Sequence, residues 1–179
     1  MSLGRGLAFV SLVGLVVAAP LAVLAAPARA ESHCVVQVVG QETDGELLLG
    51  DPNCFESFGA AAASIAGVGL ASVTGPELFG DASVQVALSQ FTLGVHFDAF
   101  NGVGSSIAVV GSNCNGGYWN TSIAWSNRIS SSWNGCPRLR HYDWANRSGA
   151  SADTTGVGTT DNLPLIMSNR TESIAYLGS

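Results

Sequence analysis

The chain opens on an apolar segment with the pattern of an export signal. Arg5 gives a basic start, the run from 7 to 26 carries no charge, and Ala28-Arg29-Ala30 has the small residues that signal peptidase reads. Residues 1–30 are therefore predicted to be a cleaved signal peptide, and the mature chain to be secreted. An uncleaved membrane anchor is the alternative, because the run is long enough to span a bilayer.

A strand pattern follows directly. The β-branched run at 35–39 stops at the Asp44-Gly45 turn signal, and apolar residues resume at 47–49. Such a pattern predicts a β-hairpin.

A helical pattern comes next. Asn53 with Glu56 three residues later is typical of a helix capping box, and Gly67 and Gly69 would end the helix. The apolar residues that recur at helical spacing between these points are Phe55, Phe58, Ala62 and Ile65. Residues 31–68 are thus predicted to form a small hairpin-helix unit.

The rest of the chain divides into a connector and an all-β half. Gly75-Pro76 breaks any regular element in residues 69–90, which we interpret as a connector. From 91 to 179 short apolar stretches alternate with polar turns and no amphipathic helical pattern occurs. This alternation is typical of β-structure.

The C-terminal half repeats itself. A first set of six positions recurs with a displacement of 45: His96, Phe97, Asp98, Asn101, Gly104 and Ser106 match His141, Tyr142, Asp143, Asn146, Gly149 and Ser151. A second set recurs with a displacement of 42: Ser126, Asn127, Arg128 and Ser131 match Ser168, Asn169, Arg170 and Ser173. Because one unit of this size cannot bury its apolar face alone, the two are expected to pack as a sandwich.

Charge limits the partners. Without residues 1–30 the chain has five arginines, no lysine and thirteen carboxylates, a formal charge of −8. Nucleic acid is therefore not an expected partner, nor is a membrane once the signal is cleaved. Residues 31–100 hold nine carboxylates and no arginine, whereas all five arginines lie in 101–179. The contrast reflects two solvated surfaces or charges that dock the two parts together.

The cysteines predict disulfides. An even count beyond an export signal indicates bridges, and four cysteines allow three pairings. Pairing Cys34 with Cys54 and Cys114 with Cys136 is favoured, because each pair then lies within one local unit. No Cys-x-x-Cys spacing supports a metal site.

At the repeats the chain resembles the βγ-crystallin family. The first family signature joins an aromatic residue to a glycine seven positions later, as in Phe97 with Gly104 and Tyr142 with Gly149. Such a glycine allows the positive φ of a folded-over hairpin. The resemblance implies a mostly β fold in which residues 91–179 form a two-Greek-key sandwich, preceded by the hairpin-helix unit.

The second family signature is a polar loop that can bind calcium. It corresponds here to the hexapeptides 126–131 and 168–173. The resemblance implies four ligand positions, the carbonyls of Arg128 and Arg170 and the side chains of Ser130 and Glu172. The alternative is that these polar residues only satisfy the loop backbone.

Catalytic motifs are absent from the sequence. His96 and His141 each precede an aspartate by two residues, but their equivalence in the repeats indicates hydrogen-bonded structural histidines rather than acid-base groups. We expect a protein that is not an enzyme and requires no cofactor, with calcium as the one candidate ion.

The aromatic residues suggest two roles. Tyr118, Trp119, Trp125, Trp133 and Trp144 are core residues or, alternatively, part of a recognition surface. Exported bacterial proteins of the crystallin type include small proteinase inhibitors, so Tyr118, Trp119 and Asn120, in the loop bounded by Cys114 and Cys136, are predicted to contact an extracellular proteinase or a cell-wall component. The alternative function is a calcium-binding structural module of the cell surface.

Overall fold

The computed structural model describes residues 30–66 and 92–178, with positions 85, 88 and 90. Residues 1–29 of the predicted signal peptide, and the predicted connector apart from positions 85, 88 and 90, lie outside the described residues. The strands are β1 (His33–Gln41), β2 (Leu47–Leu49), β3 (Asn53–Phe55), β4 (Thr92–Phe97), β5 (Ser106–Val110), β6 (Asn115–Asn120), β7 (Ser131–Asn134), β8 (Arg138–Trp144), β9 (Ser148–Thr155), β10 (Thr160–Asn162) and β11 (Ser173–Leu177), with helix α1 (Phe58–Ala66). No helix in these ranges has the length and apolar character needed to cross a bilayer.

The strands form two sheets, and the predicted mostly β class is confirmed. Sheet I has the order β10-β7-β4-β5-β1-β2, with β3 also paired to β1, and sheet II has the order β6-β11-β8-β9. The first repeat contributes β4 to β7 and the second β8 to β11. Each repeat sends its third strand to the other sheet, since β6 pairs with β11 and β10 pairs with β7.

The N-terminal hairpin is part of sheet I. Strands β1 and β2 pair antiparallel as predicted, and β1 also pairs in parallel with β5, with Cys34 opposite Ile107. Sheet I therefore contains strands from both sides of the boundary predicted between the hairpin-helix unit and the repeats.

The predicted helix start was wrong. Asn53 begins strand β3, which pairs with β1 and places Cys54 opposite Cys34. Helix α1 starts at Phe58, and the Ser57 hydroxyl accepts a hydrogen bond from the Ala60 amide at 3.2 Å. The disulfide and its strand pairing thus override a local capping signal.

Two apolar layers hold the molecule together. The inner layer lies between the sheets and includes Leu93, Ile107, Trp119, Leu139 and Ile174. The outer layer lies between α1 and sheet I and contains Val35, Phe58, Ala61, Ala62, Leu88, Val95, Phe97, Ala108, Val110 and Trp133. Helix α1 thus covers the outer face of one sheet.

The disulfides join Cys34 to Cys54 and Cys114 to Cys136, the pairing favoured from the sequence. Their cysteines are separated by 20 and 22 residues. Each bridge stabilises the fold by about 3 kcal/mol if it acts by restricting the unfolded chain. Two disulfides indicate an oxidising, extracytoplasmic environment.

The repeats share their backbone turns. Gly104 and Gly149 have φ of 81° and 77°, and a Cβ at either position would collide with the preceding aspartate, Asp98 or Asp143. This is the conformation that the glycine signature predicts. Asn101 and Asn146 adopt φ of 63° and 58° at equivalent places.

Candidate functional site

The two polar hexapeptides lie side by side. The amide of Asn127 donates to the carbonyl of Thr171 at 3.0 Å, and the amide of Asn169 donates to the carbonyl of Ile129 at 2.9 Å. These reciprocal bonds join equivalent turns of the two repeats. The turns therefore form one paired structure.

Two of the predicted calcium ligands, Glu172 and Ser130, form hydrogen bonds with the polar turn of the other repeat. The side-chain Nδ2 of Asn127 donates to the Glu172 carboxylate at 3.0 Å, and the Ser130 hydroxyl donates to the Asn169 side-chain oxygen at 3.2 Å. Ser130 also lies 3.0 Å from the Ser168 hydroxyl. The structure thus brings Ser130 and Glu172 to corresponding positions in the paired turns.

The two arginines act as clamps. Arg128 pairs with Asp98 at 2.8 Å and Arg170 pairs with Asp143 at 2.9 Å. Each arginine also donates to a carbonyl four residues earlier in its own turn, on Ala124 or Ile166. Their side chains therefore tie each turn to the folded hairpin of its own repeat.

The donors fit calcium only in part. Calcium takes six to eight oxygens and prefers carboxylates. The half around Glu172 has one carboxylate beside an amide, whereas the half around Ser130 has only hydroxyl and amide groups. No cluster of three or more histidine, cysteine, aspartate or glutamate residues occurs in the described part of the chain. Only the Glu172 half is a candidate.

The predicted partner loop is not a loop at Tyr118 and Trp119. Both lie on β6, where they are 2% and 5% exposed. Trp119 packs between the sheets, and Asn120 is bound to Glu46 and Asn146 at 2.9 Å and 2.8 Å. The predicted loop position of these two aromatic residues was wrong, because residues flanked by glycine and asparagine here form an edge strand of sheet II.

Tyr118 instead anchors the acidic hairpin. Its hydroxyl donates to Asp44 at 2.9 Å, and the Arg147 guanidinium lies 4.3 Å from its ring centre. Arg147 also donates to the Asp44 carbonyl at 3.1 Å. Hydrogen bonding to the Glu46 amide and to Tyr118 lowers the pKa of Asp44. Opposite charges therefore join the N-terminal hairpin to the repeats.

The exposed part of the bridged loop is a tight turn. Ile123 is fully exposed, and the amides of Trp125 and Ser126 both donate to the Ser122 carbonyl at 2.8 Å. The equivalent turn of the second repeat exposes Leu165 to 85%. Both are compact turns rather than extended segments.

The repeat histidines are buried between the sheets. His96 and His141 are 0% exposed with ring centres 5.7 Å apart. His96 hydrogen bonds to Ser132 at 2.8 Å and to Tyr176 at 3.0 Å, as a structural histidine should.

His141 departs from the predicted hydrogen-bonded role. Neither of its ring nitrogens has a partner among the described residues, because Ile174 stands opposite it where Ser132 stands opposite His96. Burial lowers the pKa of His141 to about 3 and that of His96 well below its usual value. Both rings are therefore neutral at physiological pH and away from solvent.

The outer face of sheet II carries partly exposed side chains on β8. On β8, Leu139, His141 and Asp143 point inward, and the alternate positions point outward. The outward residues are Arg138, Arg140, Tyr142 and Trp144. Trp144 is 62% exposed, in contrast to the other three tryptophans, which are buried. Arg140 forms two hydrogen bonds to Asp153, at 2.6 and 2.8 Å.

Sequence reasoning did not single out this face. The repeats do contain a sign of the difference. The positions 45 residues before Arg140, Tyr142 and Trp144 are the apolar Val95, Phe97 and Ala99. In the comparisons with known proteins, no family model, curated protein or solved structure matches the chain.

Proposed function

We propose that this chain is an exported, non-enzymatic binding protein built on a βγ-crystallin-like pair of Greek-key units. The exchange of β6 and β10 between the sheets and the paired glycine turns support the family assignment. The burial of both repeat histidines supports a structural rather than a catalytic role for them.

The exposed Trp144 carries the binding proposal. Tryptophan, tyrosine and arginine dominate binding hot spots, and the outer face of sheet II combines all three. Burying an exposed tryptophan against a partner contributes large apolar contact at low conformational cost. Trp144 lies outside both apolar layers, and its ring packs only beside the Gly149 turn among the contacts described.

A binding assay with a matched pair of variants tests this function. Trp144→Ala should weaken adsorption of the purified mature chain to extracellular material, whether proteinase or cell wall, about tenfold or more. Leu165→Ala, at an exposed apolar position elsewhere, should leave adsorption unchanged. Equal adsorption of both variants and the original chain would exclude this face as the binding surface.

Proteinase inhibition is the narrower form of the proposal. The disulfide between Cys114 and Cys136 restrains the turn that exposes Ile123, which would lower the entropic cost of binding. A panel of serine and metalloproteinases should be slowed at near-stoichiometric amounts, and Ile123→Ala should relieve the inhibition. The control is Leu165→Ala, in the equivalent turn that no disulfide encloses. Inhibition insensitive to Ile123, or absent across the panel, would refute this form.

Calcium stabilisation is the second candidate function, supported by the contact between Asn127 and Glu172 across the paired turns. At millimolar calcium the melting temperature should rise, and Glu172→Gln should remove the rise while Ser130→Ala keeps it. Calorimetric titration and thermal unfolding measure both effects. An absence of heat and of any shift would eliminate the metal.

A further inference from the structure

Strand β9 is an open edge of sheet II. It is eight residues long, and all of them except Ala152 and Thr154 are exposed. Its strand partner in the described part of the chain is β8, which it pairs antiparallel with Arg140 opposite Asp153. The other side of such a strand presents a row of backbone groups with which a further strand can pair.

A hydrogen bond just beyond β9 fixes which of its backbone groups face outward. The Gly156 amide donates to the Pro137 carbonyl at 3.0 Å, and these two residues stand opposite each other in the register of β8 and β9. Along an antiparallel ladder, hydrogen-bonded pairs alternate with pairs that are not hydrogen-bonded. Every second residue before Gly156 therefore bonds to β8, and Ser151, Asp153 and Thr155 direct their amides and carbonyls away from it.

The outward groups of Thr155 are satisfied within the fold. The Thr155 amide donates to the Asp161 carboxylate at 2.9 Å, and its carbonyl accepts from the Thr159 hydroxyl at 2.8 Å. The amides and carbonyls of Ser151 and Asp153 have no such partners in the ranges that the structure describes. These two residues thus present four unpaired backbone groups on one side of β9.

The other sheet edges are short or covered. Strands β2 and β10, at the two ends of sheet I, have three residues each. Strand β6, the second edge of sheet II, meets the N-terminal hairpin, where the Tyr118 amide donates to the Gly45 carbonyl at 3.0 Å. Short strands, covering elements, lysine and proline are the usual protection of a sheet edge. Strand β9 has eight residues and contains neither lysine nor proline.

We propose that β9 pairs antiparallel with β9 of a second copy of this chain, across a twofold axis at Ala152. This register sets Ser151 of each copy opposite Asp153 of the other, so every unpaired amide meets an unpaired carbonyl. The four strands of each sheet II then join in one continuous sheet. The pairing uses the edge of sheet II rather than its outer face, and it does not depend on the binding function proposed above.

The charge and the side chains of β9 favour a second copy as its partner. Asp153, the one charged residue of the strand, accepts two hydrogen bonds from Arg140, at 2.6 and 2.8 Å, so two acidic chains meet here at a neutralised point. The register also keeps Asp153 away from the position opposite a second Asp153. A strand from a different protein is selected through pockets for its alternate side chains. The short side chains of β9 form no such pockets, whereas an identical strand needs only the backbone groups.

Sedimentation and hydrogen exchange test this pairing on the original chain. In a concentration series of the mature, disulfide-bonded protein, the weight-average mass should rise from that of a monomer toward twice that value. Over the same series, exchange of the Ser151 and Asp153 amides should slow as the dimer forms. The Ala152 amide, which bonds to β8 in either state, should exchange slowly throughout.

Two variants of one residue form a matched pair. Ser151→Pro removes an outward amide without removing a hydrogen bond to β8, and proline is tolerated at such an edge position. It should raise the dissociation constant of the dimer at least about tenfold, because two backbone hydrogen bonds per dimer are lost. Ser151→Ala keeps the amide and should dimerise like the original chain. Urea denaturation of the dilute monomers should show that both variants are folded.

Three results would overturn the pairing. They are a monomer at every concentration, a dimer in which the Ser151 and Asp153 amides exchange as fast as in the monomer, and a folded Ser151→Pro variant that dimerises as tightly as the original chain. If the chain stays monomeric and those amides become protected only when an extracellular proteinase is added, the edge binds a strand of another protein instead. The adsorption assay with Trp144→Ala decides the binding function separately.

Discussion

The outer faces of the two sheets are formed by equivalent strands of the two repeats but carry different side chains. On sheet I, Phe97 is 1% exposed and its ring centre lies 5.6 Å from that of Phe58 in α1. On sheet II the equivalent residue, Tyr142, is only half-buried beside Arg140 and Trp144. The comparison shows that the repeats share strands, turns and inner core, while their outer faces differ: the face beneath α1 is apolar, and the outward side chains of β8 are charged and aromatic.

The largest effect should come from truncating the two equivalent aromatics. Phe97→Ala opens a cavity beneath α1 and should lower the free energy of unfolding by about 3–5 kcal/mol. Tyr142→Ala removes a half-exposed ring and should cost about 1 kcal/mol. Urea denaturation of both variants measures the difference. Equal losses would mean that α1 does not seal the outer face of sheet I.

The second effect concerns the inner faces of the two sheets, where each repeat carries a buried histidine. Because burial lowers the pKa of His141 to about 3 and also lowers that of His96, the unfolded chain binds protons that the folded chain does not. Stability is therefore fully present above pH 6.5 and decreases as the pH falls, for His141 by about 1.4 kcal/mol per pH unit until the pH nears 3.

Urea denaturation at pH 7.5 and pH 5 measures this loss. His141→Leu should remove about 2 kcal/mol of the pH-dependent loss over that interval. At pH 7.5 the variant should be as stable as the original chain or more so, since it removes an imidazole without a hydrogen-bond partner. A loss in the variant equal to that of the original chain would show that His141 is not buried in its neutral form.

The smallest effect should separate the two arginine clamps. Arg170→Gln leaves the Asp143 carboxylate, 7% exposed, without its ion-pair partner and should cost about 1 kcal/mol. Arg128→Gln acts on Asp98, which is 26% exposed, and should cost less. Thermal unfolding of the two variants gives the order, and the reverse order would contradict the burial argument.

Local signals in the sequence predicted much of the fold. The turn at Asp44-Gly45, the positive φ of Gly104 and Gly149, and both disulfides followed from short patterns. Asn53 misled because a cysteine one residue later is drawn into a strand by its bridge. In each case the outcome depended on whether neighbours in sequence or neighbours in space determined the local structure.

The candidate site was less predictable. Tyr118 and Trp119 have loop-like neighbours, and only the strand exchange places them in the sandwich. Trp144 could not be distinguished from the other tryptophans, because its exposure depends on tertiary packing, in which α1 lies over sheet I. The equivalent position in the first repeat is Ala99, so the sequence shows that the residue type differs between the repeats. It does not show whether another element covers that position.

Because β6 and β10 are exchanged between the sheets, each repeat needs the other to complete its fold. A chain that has emerged only as far as β7 can pair β4 with β5 and β7, yet β6 can form only the single bridge between Tyr118 and Glu46 until β11 arrives. Neither repeat can complete its strand pairing alone. A protein leaving a cell residue by residue would thus remain immature until almost the whole chain has crossed, and then close as a single unit.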